Sequence, residues 1–139
     1  MNYDVLKTEL QGTSYSAMTD SEAAEALNAL VVDAKQAISA HDIRKYLMLV
    51  DKLLPIESSV LESAKAATRA LDIFPLFDIS EMAVENKLIA VLDALVTDTL
   101  IDATDKSNIL SLGATVTSRA QLLGLGVVSE WHVTEARAM

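Results

Sequence analysis

The chain has 139 residues, and 20 Asp and Glu against 11 Lys and Arg give it a formal net charge of -9. That length fits one domain, able to bury about two thirds of its unfolded surface, and 51% hydrophobic residues with only two prolines argue against disorder. Aromatics are only 4% and cysteine is absent, so alanine, leucine and valine carry the core, and disulfide, thiolate-zinc and cysteine-nucleophile chemistry are excluded.

The acidic balance opposes phosphate binding, which Lys and Arg drive by displacing counterions, and no run of four basic residues makes a local exception. No apolar stretch approaches the roughly 18–20 residues of a membrane span. The opening MNYDVLKTEL is charged and amphipathic, without the apolar region or small-residue cleavage site of a signal peptide, so the mature chain is expected to begin at or near Met1.

In chain order, Tyr3, Val5, Leu6 and Leu10 mark a first helical stripe, closed by Gly12. Thr19-Asp20-Ser21-Glu22 is a capping box, and Ala23, Ala24, Ala26, Leu27, Leu30 and Val31 continue the helix it opens. Ser39 with Asp42 caps a third helix, whose inner face is Ile43, Tyr46, Leu47, Val50, Leu53 and Leu54. Pro55 ends it, because its ring disfavours helical geometry at Leu54. Pro55 or Ser58 starts the next, with Val60, Leu61, Ala64, Ala67, Thr68 and Leu71 inward.

Phe74-Pro75-Leu76-Phe77 reads as an apolar connection pinned into the core. Asp78-Ile79-Ser80-Glu81 repeats the capping pattern ahead of a long face of Met82, Leu88, Ile89, Leu92, Leu95 and Val96. Thr104 caps a short helix to Leu112, Ser118 caps another over Arg119–Leu123, and Ser129 opens a terminal helix carrying Trp131, Val133 and Ala136. Val127-Val128 and Ala114–Thr117 are too short to weigh as strands. The expected fold is all-α, a compact single domain over residues 1–139 with about six to eight helices, ending in a helical hairpin over 118–139.

Groups that could carry chemistry are few. His41 and His132 have no metal-ligand spacing; His41 reads as a helix-start residue and His132 as a packing residue beside Trp131. Asp98, Asp102 and Asp105 fail the calcium-loop pattern, since the sixth position from Asp98 is Ala103 and the twelfth is Ile109; they read as solvated loop acids. Gly124-Leu125-Gly126 is a turn rather than a nucleotide loop. The hairpin 118–139, with Ala120 and Gly124 four apart, tests as a helix-turn-helix, but its last helix offers only His132, Thr134 and Arg137 against Glu130 and Glu135. Neither a cofactor nor a metal site can be written down.

The phrase Ser118-Arg119-Ala120-Gln121-Leu122-Leu123-Gly124-Leu125, followed by Val133-Thr134-Glu135-Ala136-Arg137, resembles a family of small proteins of tailed bacteriophages and prophages, with an S-R-A-x-x-L-G-L stretch and a terminal V-x-x-A-R. The start is similar to that family as well: Y-x-x-L-K-x-E-L at Tyr3–Leu10, a loop tyrosine at Tyr15, and T-D-x-x-A-A-x-x-L-N at Thr19–Asn28. The likeness covers both ends, about a third of the chain, while the middle agrees only in helical pattern. The turn before the tyrosine is Gly12-Thr13-Ser14 rather than D-P, and Gly113-Ala114-Thr115 is a remnant of the family's G-A-G-T loop.

What the resemblance implies is a non-enzymatic virion structural protein, tail-associated, made in the bacterial host cytoplasm. It would act by assembly with other phage virion proteins or with its own copies as a homo-oligomer, without nucleic acid or membrane. An assembly chaperone absent from the finished particle is the first alternative, and a small DNA-binding regulator using the terminal hairpin is the second. Arg119, Leu122, Leu125, Trp131, His132 and Arg137 are the expected interaction or structural residues. Arg119, a cation in a first helical turn where the dipole opposes it, is expected to clamp the hairpin to the core through Asp98, Asp102 or a helix-end carbonyl.

Overall fold

A computed structural model describes all 139 residues. Nine helices dominate: α1 Tyr3–Leu10, α2 Asp20–Asn28, α3 Ala40–Leu49, α4 Leu53–Ser58, α5 Glu62–Ile73, α6 Met82–Thr97, α7 Ala103–Ser111, α8 Arg119–Leu122 and α9 Glu130–Ala138. Four short strands interrupt them, β1 Val32–Lys35, β2 Ala37–Ser39, β3 Leu76–Asp78 and β4 Ala114–Thr117. The chain is therefore largely helical but not all-α. The strands form two pairs, β1 with β4 and β2 with β3, the latter antiparallel with Ile38 opposite Phe77. Each strand takes its hydrogen bonds from a segment several helices away in sequence, which is why such short runs carry little signal of their own.

The chain divides into two compact units. One joins Met1–Asp33 to Val116–Met139, and the other is Ala34–Thr115, inserted between those halves. In the first unit α1 and α2 pack on α9 around Leu6, Leu27, Val128, Val133 and Ala136, each no more than 1% exposed. In the second, α3 to α7 and the β2–β3 pair enclose Ile38, Ile43, Leu47, Ile56, Leu95 and Ile109.

Most helix starts follow the local chemistry. Thr19 and Glu22 cap each other's backbone amides at α2, Ser39 accepts from the Asp42 amide at α3, Ser118 from the Gln121 amide at α8, and Ser129 caps α9. α2 stops at Asn28, however, leaving Leu30 and Val31 exposed rather than helical. α3 ends at Leu49, before Pro55: Asp51 turns to φ 60°, and the amides of Asp51 and Lys52 bond the carbonyls of Met48 (3.1 Å) and Leu47 (2.8 Å). This is a Schellman closure with aspartate where glycine is usual. Pro55 instead lies in the first turn of α4, where its missing N–H has no partner to lose.

Three further starts differ from expectation. α5 begins at Glu62, so Val60 and Leu61 lie outside it and are exposed rather than inward. The Asp78 carboxylate accepts from the nearer amide of Ser80 (3.1 Å), so the expected box with Glu81 does not form and α6 begins at Met82. At α7 the cap is Asp102, not Thr104, with Asp105 completing the box.

Two glycines are required by geometry. A Cβ at Gly113 would lie 2.4 Å from Ile79 Cδ1 and 2.8 Å from the Gln36 carbonyl, so the backbones of this part of the inserted unit meet only without a side chain. Gly124 has φ 71° and closes α8, with the Leu125 amide bonded to the Ala120 carbonyl at 2.9 Å.

Candidate functional site

Within the unit built from both chain ends, side chains of the first segment bind those of the last. Arg119, in the first turn of α8, donates from Nε and Nη2 to the two carboxylate oxygens of Glu9 on α1, at 2.8 and 3.0 Å. The Tyr15 hydroxyl donates to the same carboxylate at 3.3 Å. Arg137 near the end of α9 donates to the Asp20 carboxylate (2.6 Å) and to the carbonyls of Met18 (3.0 Å) and Tyr15 (2.9 Å). The Thr134 hydroxyl donates to Asp20 as well. Asn28, at the end of α2, holds Val128 by both its amide and its carbonyl, at 2.9 and 2.6 Å.

These bonds set the electrostatics. The Arg119 guanidinium holds the Glu9 carboxyl below its ordinary range, and Glu9 in turn pushes Arg119 up. Thr134, then Arg137, holds Asp20 below its ordinary range. Planar two-point pairing of this kind fixes orientation as well as charge. Arg119, a cation in a first helical turn, thus has an acidic partner. The partner is Glu9 rather than Asp98 or Asp102, because the hairpin belongs to the unit that contains α1.

The remaining expected residues separate into two groups. Leu125 is buried in the unit's core and Leu122 is half exposed. The His132 ring accepts the Ser129 amide at Nδ1 (3.0 Å) and so caps its own helix. Trp131 is 59% exposed; its ring stands edge-on to His132 with centroids 4.8 Å apart, and 6.5 Å from Tyr3. A shallow depression beside it is lined by Ser129, Glu130, Trp131, Thr134 and Glu135. Glu9, Asp20 and Asn28 were missed as partners. The signal was present, since all three lie in the amino-terminal phrases of the resemblance and the two arginines in its carboxy-terminal ones.

The inserted unit carries a polar cluster of its own. Asp105, expected as a solvated loop acid, is 4% exposed. It accepts from the Tyr46 hydroxyl (2.7 Å) and the Asp102 amide (3.1 Å) and pairs with Lys52. Burial works to raise its pKa, but Lys52, that amide and Tyr46 outweigh it and hold the carboxyl below its ordinary range. Asp98 and Asp102 do remain exposed. The same unit exposes ten large apolar side chains, among them Leu49, Leu54, Val60, Phe74, Leu76 and Met82. No helix is long and apolar enough to cross a membrane, and no group of three His, Asp or Glu is placed to hold a metal ion. Compared with family models, curated proteins and solved structures, the chain matches none of them.

Proposed function

We propose that the chain is a non-enzymatic structural component of a tailed-phage virion, tail-associated, working through protein–protein assembly with other virion proteins or its own copies. The observation that carries the assembly reading is the set of large apolar side chains exposed on the inserted unit. Leu49, Leu54, Val60 and Met82 are each more than 60% exposed, and exposed apolar surface, where it is contiguous, marks a protein–protein contact. The assignment to a virion rests on the resemblance. It is supported by the way the phrases that carry it, from both ends, belong to one unit and pair with each other. The paired residues serve folding, which accounts for distinctive phrases that hold no catalytic set.

The regulator reading is disfavoured by the same bonds. His132, Thr134 and Arg137, the residues a DNA-reading helix would present, are engaged with Ser129 and Asp20. The test is mass spectrometry of purified virions, with the molar mass of the isolated protein by light scattering. Stoichiometric presence in the particle, and loss of assembly in a Leu54→Ser, Val60→Ser variant that still melts cooperatively, are expected. Clear absence from virions with abundant protein in infected cells would replace this reading with the assembly chaperone.

A further inference from the structure

The two-ended unit has eight Asp and Glu against three Lys and Arg. All three cations are engaged internally: Arg119 with Glu9, Arg137 with Asp20, and Lys7 Nζ with the Met139 carbonyl at 2.8 Å. The unit therefore offers a partner uncompensated negative charge and no free positive charge. On the outer face of α9, Glu130 and Glu135 form no ion pair and flank the exposed ring of Trp131. Glu130 has a local explanation, since an acid in a first helical turn suits the dipole. Glu135, in the middle of the helix, faces the Tyr3 hydroxyl, whose pKa burial and then this carboxylate push up, and no cation pairs with it.

The indole is exposed but held, edge-on to His132 and beside Tyr3, and α9 itself is fastened by Arg137, Thr134 and the Ser129 cap. A fixed aromatic face bordered by carboxylates attracts cations twice over, through the ring quadrupole and through charge. A neutral ligand can hydrogen-bond to the carboxylates but gains no net charge attraction from them, and a nucleic acid is repelled by them.

From this we propose that the outer face of α9 docks a basic segment of a partner protein, with an Arg or Lys side chain laid on Trp131 and neighbouring cations reaching Glu130 and Glu135. The surface differs from the apolar one on the inserted unit, so the proposal does not depend on the virion reading. A second copy of the chain is the competing occupant, because Lys45, Arg69 and Lys87 are its exposed cations without an ion pair.

Trp131 is the sole tryptophan, so its emission reports this site in the full, unlabelled chain. The protein is titrated with a capped peptide of alternating Arg and Gly at physiological salt, and with the same peptide carrying citrulline in place of Arg. A saturable change with the Arg peptide, at a Kd of about 1 mM or tighter, and none with citrulline is expected. The Glu130→Gln, Glu135→Gln variant, changed only at exposed positions, should still melt cooperatively and bind about tenfold more weakly. No saturable change, an equal response to citrulline, or full binding by that variant would overturn the proposal. So would an emission change that depends on protein concentration alone and vanishes in a Lys45→Ala, Arg69→Ala, Lys87→Ala variant, which would seat a second copy there.

Discussion

Replacing Asp105 by alanine removes three bonds at once from the inserted unit. The Asp102 amide loses its acceptor, which dissolves half the capping box of α7 and costs about 1 kcal/mol. The Tyr46 hydroxyl loses its 2.7 Å acceptor, and Lys52, its side chain only 31% exposed, loses its nearer counter-ion. Leaving such partly buried donors unmatched costs about another 2 kcal/mol, below the range for a wholly buried pair because Lys52 still reaches water and Asp102. The expected total is about 3 kcal/mol, a fall of more than about 10 °C in melting temperature for a body of this size.

Urea unfolding followed by far-ultraviolet circular dichroism measures it. Asp105→Asn, which keeps an acceptor oxygen but no charge, should fall between. The pH dependence carries a sign. Asp105 is held below its ordinary pKa, so its contribution is present above about pH 4 and is lost as pH falls through the lower folded value. The hydrogen bond from Lys52 to Asp105 raises the Lys52 pKa, so that half of the pair is intact below the usual lysine range and lost only as pH rises beyond it. A loss under about 1 kcal/mol, or an acid limb unchanged in Asp105→Ala, would refute the reasoning.

Arg119→Ala should lower the melting temperature read by Trp131 emission, because Glu9 then keeps only its 3.3 Å bond from Tyr15. Arg119→Lys should restore it only partly, lacking the two-point geometry, and an unaltered melt in Arg119→Ala would remove the clamp. Gly113→Ala should cost about 2 kcal/mol by overpacking, since the new methyl meets Ile79, Ile38 and the Gln36 carbonyl at under 3 Å; denaturant unfolding checks it. Thr99→Gly should instead stabilise by about 1 kcal/mol. Its β-branched residue sits at φ 58°, closing α6 with the Leu100 amide on the Leu95 carbonyl at 3.0 Å, and an unchanged or lowered midpoint would refute that.

The features legible in the sequence were those whose cause lies within about one helical turn. The caps at Thr19, Ser39, Ser118 and Ser129 and the closure at Gly124 are of this kind, each a side chain or a free φ acting on amides three or four residues away. The same locality explains the failures. Asp51 took a left-handed turn that glycine usually marks, so α3 ended before the proline that seemed to stop it. Asp78 bonded the nearer amide of Ser80, so the box written for it never formed.

Apolar spacing likewise identified Leu6, Leu27, Ile43, Leu47, Leu92 and Leu95 as core, but not that they belong to two cores. That division, the pairing of β2 with β3, the burial of Asp105 against Tyr46 and Lys52, and the choice of Glu9 for Arg119 all join residues far apart in the chain. Which partner such a group finds depends on how the chain closes its long loops. No local run of residues records that closure, because its free energy is shared among contacts that exist only once the fold is complete.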